Sequence, residues 1–251
     1  SGISCLEFLI SQKYPNVFAI DDNDDMVLFV KDRLGKKFGD NIDINSIFIN
    51  QSELSSKIDG NSRVVFAPGI PLYFPEKHRI LDIANDSFLV SDIDFFNEIF
   101  LDDSNANKAV FNIGITGTNG KSTISSFIDY IFQSLAINSS LVGNIGVPIF
   151  DVANQLLKGQ GEKSCLVTEI SSFQLDLLKN TGFDVACISN IADDHIERHG
   201  SFKNYVNSKL RIFKNSTKDD YLIINYDDPV LRGIYEGQLQ DSHGSKVILT
   251  S

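Results

Sequence analysis

The apolar positions of the chain follow two repeats in alternation. Ile3, Leu6, Leu9 and Ile10 recur at helical spacing, so the chain opens in a helix with no strand ahead of it. Short apolar runs at 17–20, 47–49, 64–67 and 88–90 predict strands, and helices are predicted over 26–34, 75–84 and 93–101. The stretch 102–108, Asp-Asp-Ser-Asn-Ala-Asn-Lys, is polar and turn-rich and reads as a linker. A boundary near residue 104 follows, dividing the chain into 1–104 and 105–251.

Beyond the linker, strands are predicted at 110–116, 165–170, 185–191, 221–224 and 247–249. Ile124, Phe127, Ile128, Ile131, Phe132 and Leu135 fall on one face of a helix, a second helix starts within 171–175, and a third runs from its N-cap Ser201 to about residue 214. Strands alternating with helices imply a parallel α/β sheet in both parts.

Composition narrows the classes of function. An apolar fraction of 42% with 19 Phe excludes intrinsic disorder. With 33 Asp+Glu against 22 Lys+Arg the net charge is −11, and the resulting field opposes non-specific binding to nucleic acid or anionic membranes. No apolar run is long enough to span a bilayer and no signal-like start is present, so no membrane partner is expected. Cys5, Cys165 and Cys187 are odd in number and widely spaced, which suits buried thiols in a reducing, cytoplasmic setting.

The chemistry gathers after the strand 110–116. Thr116-Gly-Thr-Asn-Gly-Lys-Ser-Thr123 stands between a strand and a helix, the order a phosphate cradle needs. Gly117 and Gly120 free backbone N–H groups, Lys121 supplies a point charge and Ser122 a metal-ligand hydroxyl. Ile115 stands where the usual P-loop has its first glycine, which counts against the common NTPases rather than against phosphate binding. Glu169 ends a buried strand where a Mg2+ held by triphosphate would sit, with a solvated strand-end carboxylate as the plain alternative. His195 follows the strand 185–191; a surface loop histidine is its plain alternative, and His78, His199 and His243 read as surface residues. On the helix after Ser201, Phe202, Tyr205, Val206, Leu210 and Phe213 fall within an arc of about 140°, with Lys209 at its middle. An ammonium there must snorkel, be paired or be neutralised.

Together, Thr116 to Thr123, Gly143-Asn-Ile-Gly146, Glu169-Ile-Ser-Ser-Phe-Gln-Leu175, Asp194-His195 and Ser208-Lys-Leu-Arg211 resemble the Mur ligases. The Glu-x-Ser-Ser-Phe-Gln-Leu segment looks most like the D-glutamate-adding branch. The resemblance implies an incomplete Rossmann-like N-terminal domain binding a UDP-sugar, followed by a P-loop-type parallel α/β ATP-binding domain. It implies an ATP-dependent ligase joining D-glutamate to UDP-N-acetylmuramoyl-L-alanine through an acyl phosphate in peptidoglycan precursor synthesis. Thr116, Gly117, Thr118, Asn119, Gly120, Lys121, Ser122 and Thr123 would hold ATP, with Ser122 and Glu169 on one Mg2+. His195 and a carbamylated Lys209 would serve a second Mg2+, the carbamate accounting for a lysine in an apolar arc, and Lys121, His195 and Lys209 would be the catalytic set. Asn144, Ser171 and Gln174 match positions near the muramoyl-alanine, and Asp21 and Asp22 the uracil edge. A monomer is expected.

The chain departs from the family at both ends. It lacks the opening strand with its Gly-x-Gly turn and has no counterpart of the family's C-terminal domain, so on its own it is expected to be inactive as a ligase. Another Mur ligase, a folylpolyglutamate synthase-like enzyme, a P-loop kinase and a non-catalytic nucleotide-binding module remain the alternatives; a kinase leaves Lys209 unexplained.

Overall fold

A computed structural model describes residues 2–71, 73–83, 89–100, 110–158, 164–239 and 245–251. The predicted boundary near 104 and His243 lie outside the described residues. The first part runs α1 (Gly2–Ser11), α2 (Asp24–Phe38), α3 (Ile44–Ile47), α4 (Gln51–Lys57), β1 (Val64–Val65), α5 (Ile80–Ile83), β2 (Leu89–Val90) and α6 (Asp92–Phe100). The second runs β3 (Val110–Thr116), α7 (Lys121–Ser134), β4 (Ser139–Gly143), α8 (Ile149–Lys158), β5 (Ser164–Glu169), α9 (Ser172–Leu177), β6 (Val185–Ile188), α10 (Ile196–His199), α11 (Phe202–Leu210), β7 (Tyr221–Asn225), α12 (Pro229–Ile234) and β8 (Lys246–Thr250).

The expected parallel α/β fold is present, carried by a six-stranded sheet ordered β4-β5-β3-β6-β7-β8 in which every pairing is parallel. From central β3 the chain first builds one side (β4, β5) and then crosses to the other (β6, β7, β8), so the carboxyl end of β3 is the switch point where parallel sheets bind ligands.

Among the described residues, the first part holds less sheet than its sequence predicts. The runs 17–20 and 47–49 meet only in an isolated parallel bridge, Ala19 to Phe48, and Ile47 is already the last residue of α3, whose N-cap Asp43 accepts from the Asn45 N–H. The strand at 64–67 narrows to Val64–Val65, paired in parallel with Leu89–Val90. The helix predicted over 75–84 is confined to Ile80–Ile83 as far as it is described. Where local signals agree the element is long: α2 is capped by Asn23, begins with Asp24 and Asp25, and ends with Lys36 and Lys37, matching the helix dipole.

Helices α1 and α6 share the core of the large sheet. Phe8 lies 5.2 Å and Phe96 5.9 Å, between ring centroids, from Phe150 on α8, and these rings belong to one buried cluster with Leu166, Leu175 and Ile188. The buried carboxylate of Asp94 ties the two parts by polar contacts, accepting from the backbone N–H groups of Lys179, Asn180 and Thr181 and from the Thr181 hydroxyl. Asp94→Ala strands those donors and is expected to destabilise the protein by about 3 kcal/mol, read as a lowered denaturation midpoint; an unchanged midpoint counts against this anchor.

On α7, only part of the predicted apolar face is covered. Ile124, Ile128 and Phe132 pack on Ile115, Cys165 and Val167, whereas Phe127, Ile131 and Leu135 are exposed. The stripe is wider than the line of contact a helix makes with a sheet. The three cysteines are free, and burial pushes Cys165 up to about 12 and Cys187 up to about 11, as inert packing thiols require.

Candidate functional site

The loop 117–120 leaves β3 at the switch point and is shaped by its neighbours. Gly117 has φ 152°, and a Cβ built on it would stand 1.9 Å from Ser189 Oγ, so only glycine passes β6 there. Gly120, at φ 80°, is the N-cap of α7 and makes no side-chain cap bond, leaving the helix N-terminus open to an anion. The segment after β6 acts as a last. Thr118 N–H donates to the Asn190 carbonyl and Asn119 N–H to Asn190 Oδ1 (2.8 Å), while Ser189 Oγ and Asn190 Nδ2 both donate to the Asn119 carbonyl. The strand predicted over 185–191 therefore ends at Ile188, because residues 189 and 190 spend their polar groups on the loop.

Lys121 Nζ donates to the carbonyls of Gly117 (3.0 Å) and Thr118 (2.9 Å). Lys209 Nζ donates to the same Gly117 oxygen at 2.8 Å. Lys209 is 2% exposed, which rules out snorkelling, and it lies over the Tyr205 ring with 4.6 Å to the centroid. Burial, helped by the positive charge of Lys121 and opposed by Asp194, pushes its pKa down to about 7. Ser122 and Thr123 lie exposed at the start of α7.

Glu169 is 0% exposed and sits side by side with Ile115 of β3 and Gly143 of β4 in the sheet register. Its carboxylate accepts from Asn144 Nδ2 at 2.7 Å and Ser125 Oγ at 3.4 Å. Among the described residues no cation pairs with it, and such a carboxylate suits a divalent ion beside Ser122. Gly143, at φ 101°, lets the β4 backbone pass the Glu169 carbonyl, 2.2 Å from a built Cβ, and so brings Asn144 into place.

Lys121, Ser122, Asn144, Glu169 and Lys209 thus gather around one loop. His195 stands at the neighbouring turn, exposed, at φ 51°, with its ring nitrogens 3.5 Å from Asp194 and 3.7 Å from Glu197 and its ring 4.9 Å from that of Phe173. Among the described residues, no group of three His, Cys, Asp or Glu side chains forms a ready-made metal cage. Ser171 and Gln174 bond to each other as the capping box of α9, and Gln174 is buried. Asp21 and Asp22 lie on the first part, Asp22 accepting from Gln51 at 2.6 Å and facing Arg79 at 3.7 Å.

The sequence model described as "Mur ligase middle domain" matches residues 115–248. The chain belongs to the Mur ligase family. Among its relatives, the UDP-N-acetylmuramoylalanine–D-glutamate ligase of Clostridioides difficile (strain 630) is 35% identical over 195 residues, 77% of this chain and 39% of the relative. The ligase of the same name from Rickettsia bellii (strain RML369-C) is 37% identical over 188 residues, 74% of this chain and 38% of the relative. The chain therefore spans about two fifths of the length of the curated relatives it matches. A solved UDP-N-acetylmuramoyl-L-alanyl-D-glutamate–2,6-diaminopimelate ligase superposes with a TM-score of 0.50 at 20% identity, covering 78% of this chain and 51% of that one, a likeness of fold.

Several residues around this candidate site escape a reading of the sequence. Tyr205, read as core, also shares a 2.9 Å hydrogen bond with the Thr118 hydroxyl. His199, read as a surface residue, is buried, with Nε2 3.0 Å from Ser172 Oγ and Nδ1 3.4 Å from Asp176. Burial lowers its pKa against the pull of Asp176, whose own carboxyl is raised by burial. α10 is four residues long, too short for any apolar period to announce its buried face. Ser189 and Asn190 carried one available signal, polar residues at the carboxyl end of an apolar strand.

Proposed function

We propose that the protein acts as an ATP-dependent ligase that adds D-glutamate to UDP-N-acetylmuramoyl-L-alanine, as a cytoplasmic monomer. The observation that carries this is the convergence of the glycine loop, Lys121, the buried carboxylate of Glu169, which no cation pairs among the described residues, and the buried amine of Lys209 at the carboxyl ends of β3 and its neighbour β5. The names of the relatives support D-glutamate as the incoming amine.

In this reading the α7 N-terminus and Lys121 bind and orient the phosphates of ATP, while the Thr118 and Asn119 amides, bonded to Asn190, hold the loop in shape. Lys121 leaves the Gly117 and Thr118 carbonyls for phosphate oxygens. The acceptor carboxylate attacks the γ-phosphorus, giving an acyl phosphate and ADP; the amine of D-glutamate then displaces phosphate to form the amide. Activation is required because a carboxylate resists attack by an amine. Ser122 and Glu169 would hold one Mg2+, and His195 with carbamylated Lys209 a second; magnesium supplies neutralisation of phosphate charge. An amine must be neutral to take up CO2, and the depressed pKa of Lys209 meets that condition. Asn144, Ser171 and Gln174 would line the acceptor end, and Asp21 and Asp22 the uracil end.

The test is ATP-dependent phosphate release by the complete protein with UDP-N-acetylmuramoyl-L-alanine and each of D-glutamate, L-glutamate, L-alanine and meso-diaminopimelate. D-Glutamate is expected to be preferred by about 100-fold or more in kcat/KM. Preference for another amine would move the chain to another branch, and no ligation with any of them would refute the assignment.

A further inference from the structure

The short helix α10 connects the site to the first part of the chain through one side chain. The Arg198 guanidinium donates to three carbonyls in succession, Pro68 (2.9 Å), Gly69 (3.1 Å) and Ile70 (3.0 Å). Its other face lies on Phe173 of α9, 4.6 Å from the ring centroid. Two residues on, Gly200 has φ 75° and packs so closely against the Phe74 ring that a Cβ would approach it to 3.2 Å. The next residue, His199, fixes α10 to α9 through Ser172 and Asp176.

The loop 68–70 follows β1, so it stands at the carboxyl end of the small parallel sheet, as the phosphate loop stands at that of the large one. Arg198 is three residues from His195 and grips that loop. A planar fork with five donors can satisfy three adjacent carbonyls, whereas an ammonium cannot hold them in one plane.

We propose that Arg198 is a positioning residue that sets the register between the nucleotide-sugar part of the site and the phosphate loop. The inference rests on the proposed ligase reading, in which the UDP-linked acceptor reaches across both parts while ATP lies on the second alone. Loss of the fork should therefore weaken the long acceptor and leave ATP untouched.

The experiment measures KM for each substrate, and the denaturation midpoint, for the complete wild-type protein, Arg198→Ala and Arg198→Lys. For Arg198→Ala the acceptor KM is expected to rise about ten-fold or more, with the ATP KM within two-fold, and ethylguanidinium at tens of millimolar should restore part of the acceptor affinity. Arg198→Lys keeps the charge over Phe173 and should fall between the two; it decides the matter if the alanine variant does not fold. An unchanged acceptor KM, or an equal rise for both substrates without rescue, overturns the proposal. Wild-type protein that fails to ligate overturns the ligase reading instead.

Discussion

Lys209→Met is expected to abolish the proposed ligase activity of the complete protein, by on the order of 1,000-fold in kcat, while making the fold more stable at neutral pH than the protein with an unmodified Lys209. The two effects have one origin. The amine is almost wholly buried, its hydrogen-bond acceptor is a neutral carbonyl, and among the described residues no carboxylate forms an ion pair with it. Burial and Lys121 push its pKa from 10.5 down to about 7. Between those values the unfolded chain holds a proton that the folded chain has released, so stability rises with pH, by up to about 1.4 kcal/mol per unit. Below pH 7 both states hold the proton and the slope vanishes. Methionine fills similar space without the ammonium, so the variant should lose that slope and gain most near pH 7 and below. Denaturant melts at pH 7 and pH 9.5, beside phosphate-release rates, check both halves. A variant that is less stable at pH 7 and fully active would exclude the role proposed for this lysine. Partial rescue of Lys209→Ala by short carboxylic acids would identify the missing group as an oxygen ligand.

Gly117→Ala is expected to weaken ATP binding by about 100-fold, because two costs of about 1–3 kcal/mol each act at one atom. A side chain is strained at φ 152°, and its Cβ would fall 1.9 Å from Ser189 Oγ and 3.3 Å from the Asn190 nitrogen. Neither neighbour can give way freely. Ser189 is bonded to the Asn119 carbonyl, and the carbonyl of Asn190 accepts from Thr118 N–H. The loop must therefore leave its cradle shape. Calorimetry with ATP and Mg2+ reads the loss, and adding Ser189→Gly should recover only part of it, since the backbone strain stays. Wild-type affinity in the single variant would mean that the loop's shape is not what binds the nucleotide.

The parts of this molecule that were legible in the sequence are those whose signals are local. The apolar run of β3, the glycines after it and the period of α7 lie within one continuous stretch, and Lys209 was marked by its angle on α11 alone. The thin strands of the first part were less so, because a ladder of one or two pairs is decided by its partner and not by its own residues. β4 has few apolar positions and stands at the edge of the sheet beside β5. α8 did carry a signal, in Ile149, Phe150, Val152 and Ala153, all buried, but nothing in that run alone separates it from a strand pair. Arg198, His199, Ser189 and Asn190 act through partners between about 23 and 130 positions away, beyond the reach of any spacing rule.

One oxygen joins the two lysines of the site. The Gly117 carbonyl accepts from Lys121 and from Lys209 together, so each amine lies within the other's field. An anion that draws Lys121 outward lifts part of the positive potential acting on Lys209 and raises its hold on a proton. Thermodynamic reciprocity then requires that the protonation of Lys209 alter the affinity for that anion by the same factor. In the proposed ligase reading, the backbone of a single glycine thereby couples nucleotide occupancy to the acid–base equilibrium of the unmodified Lys209 amine.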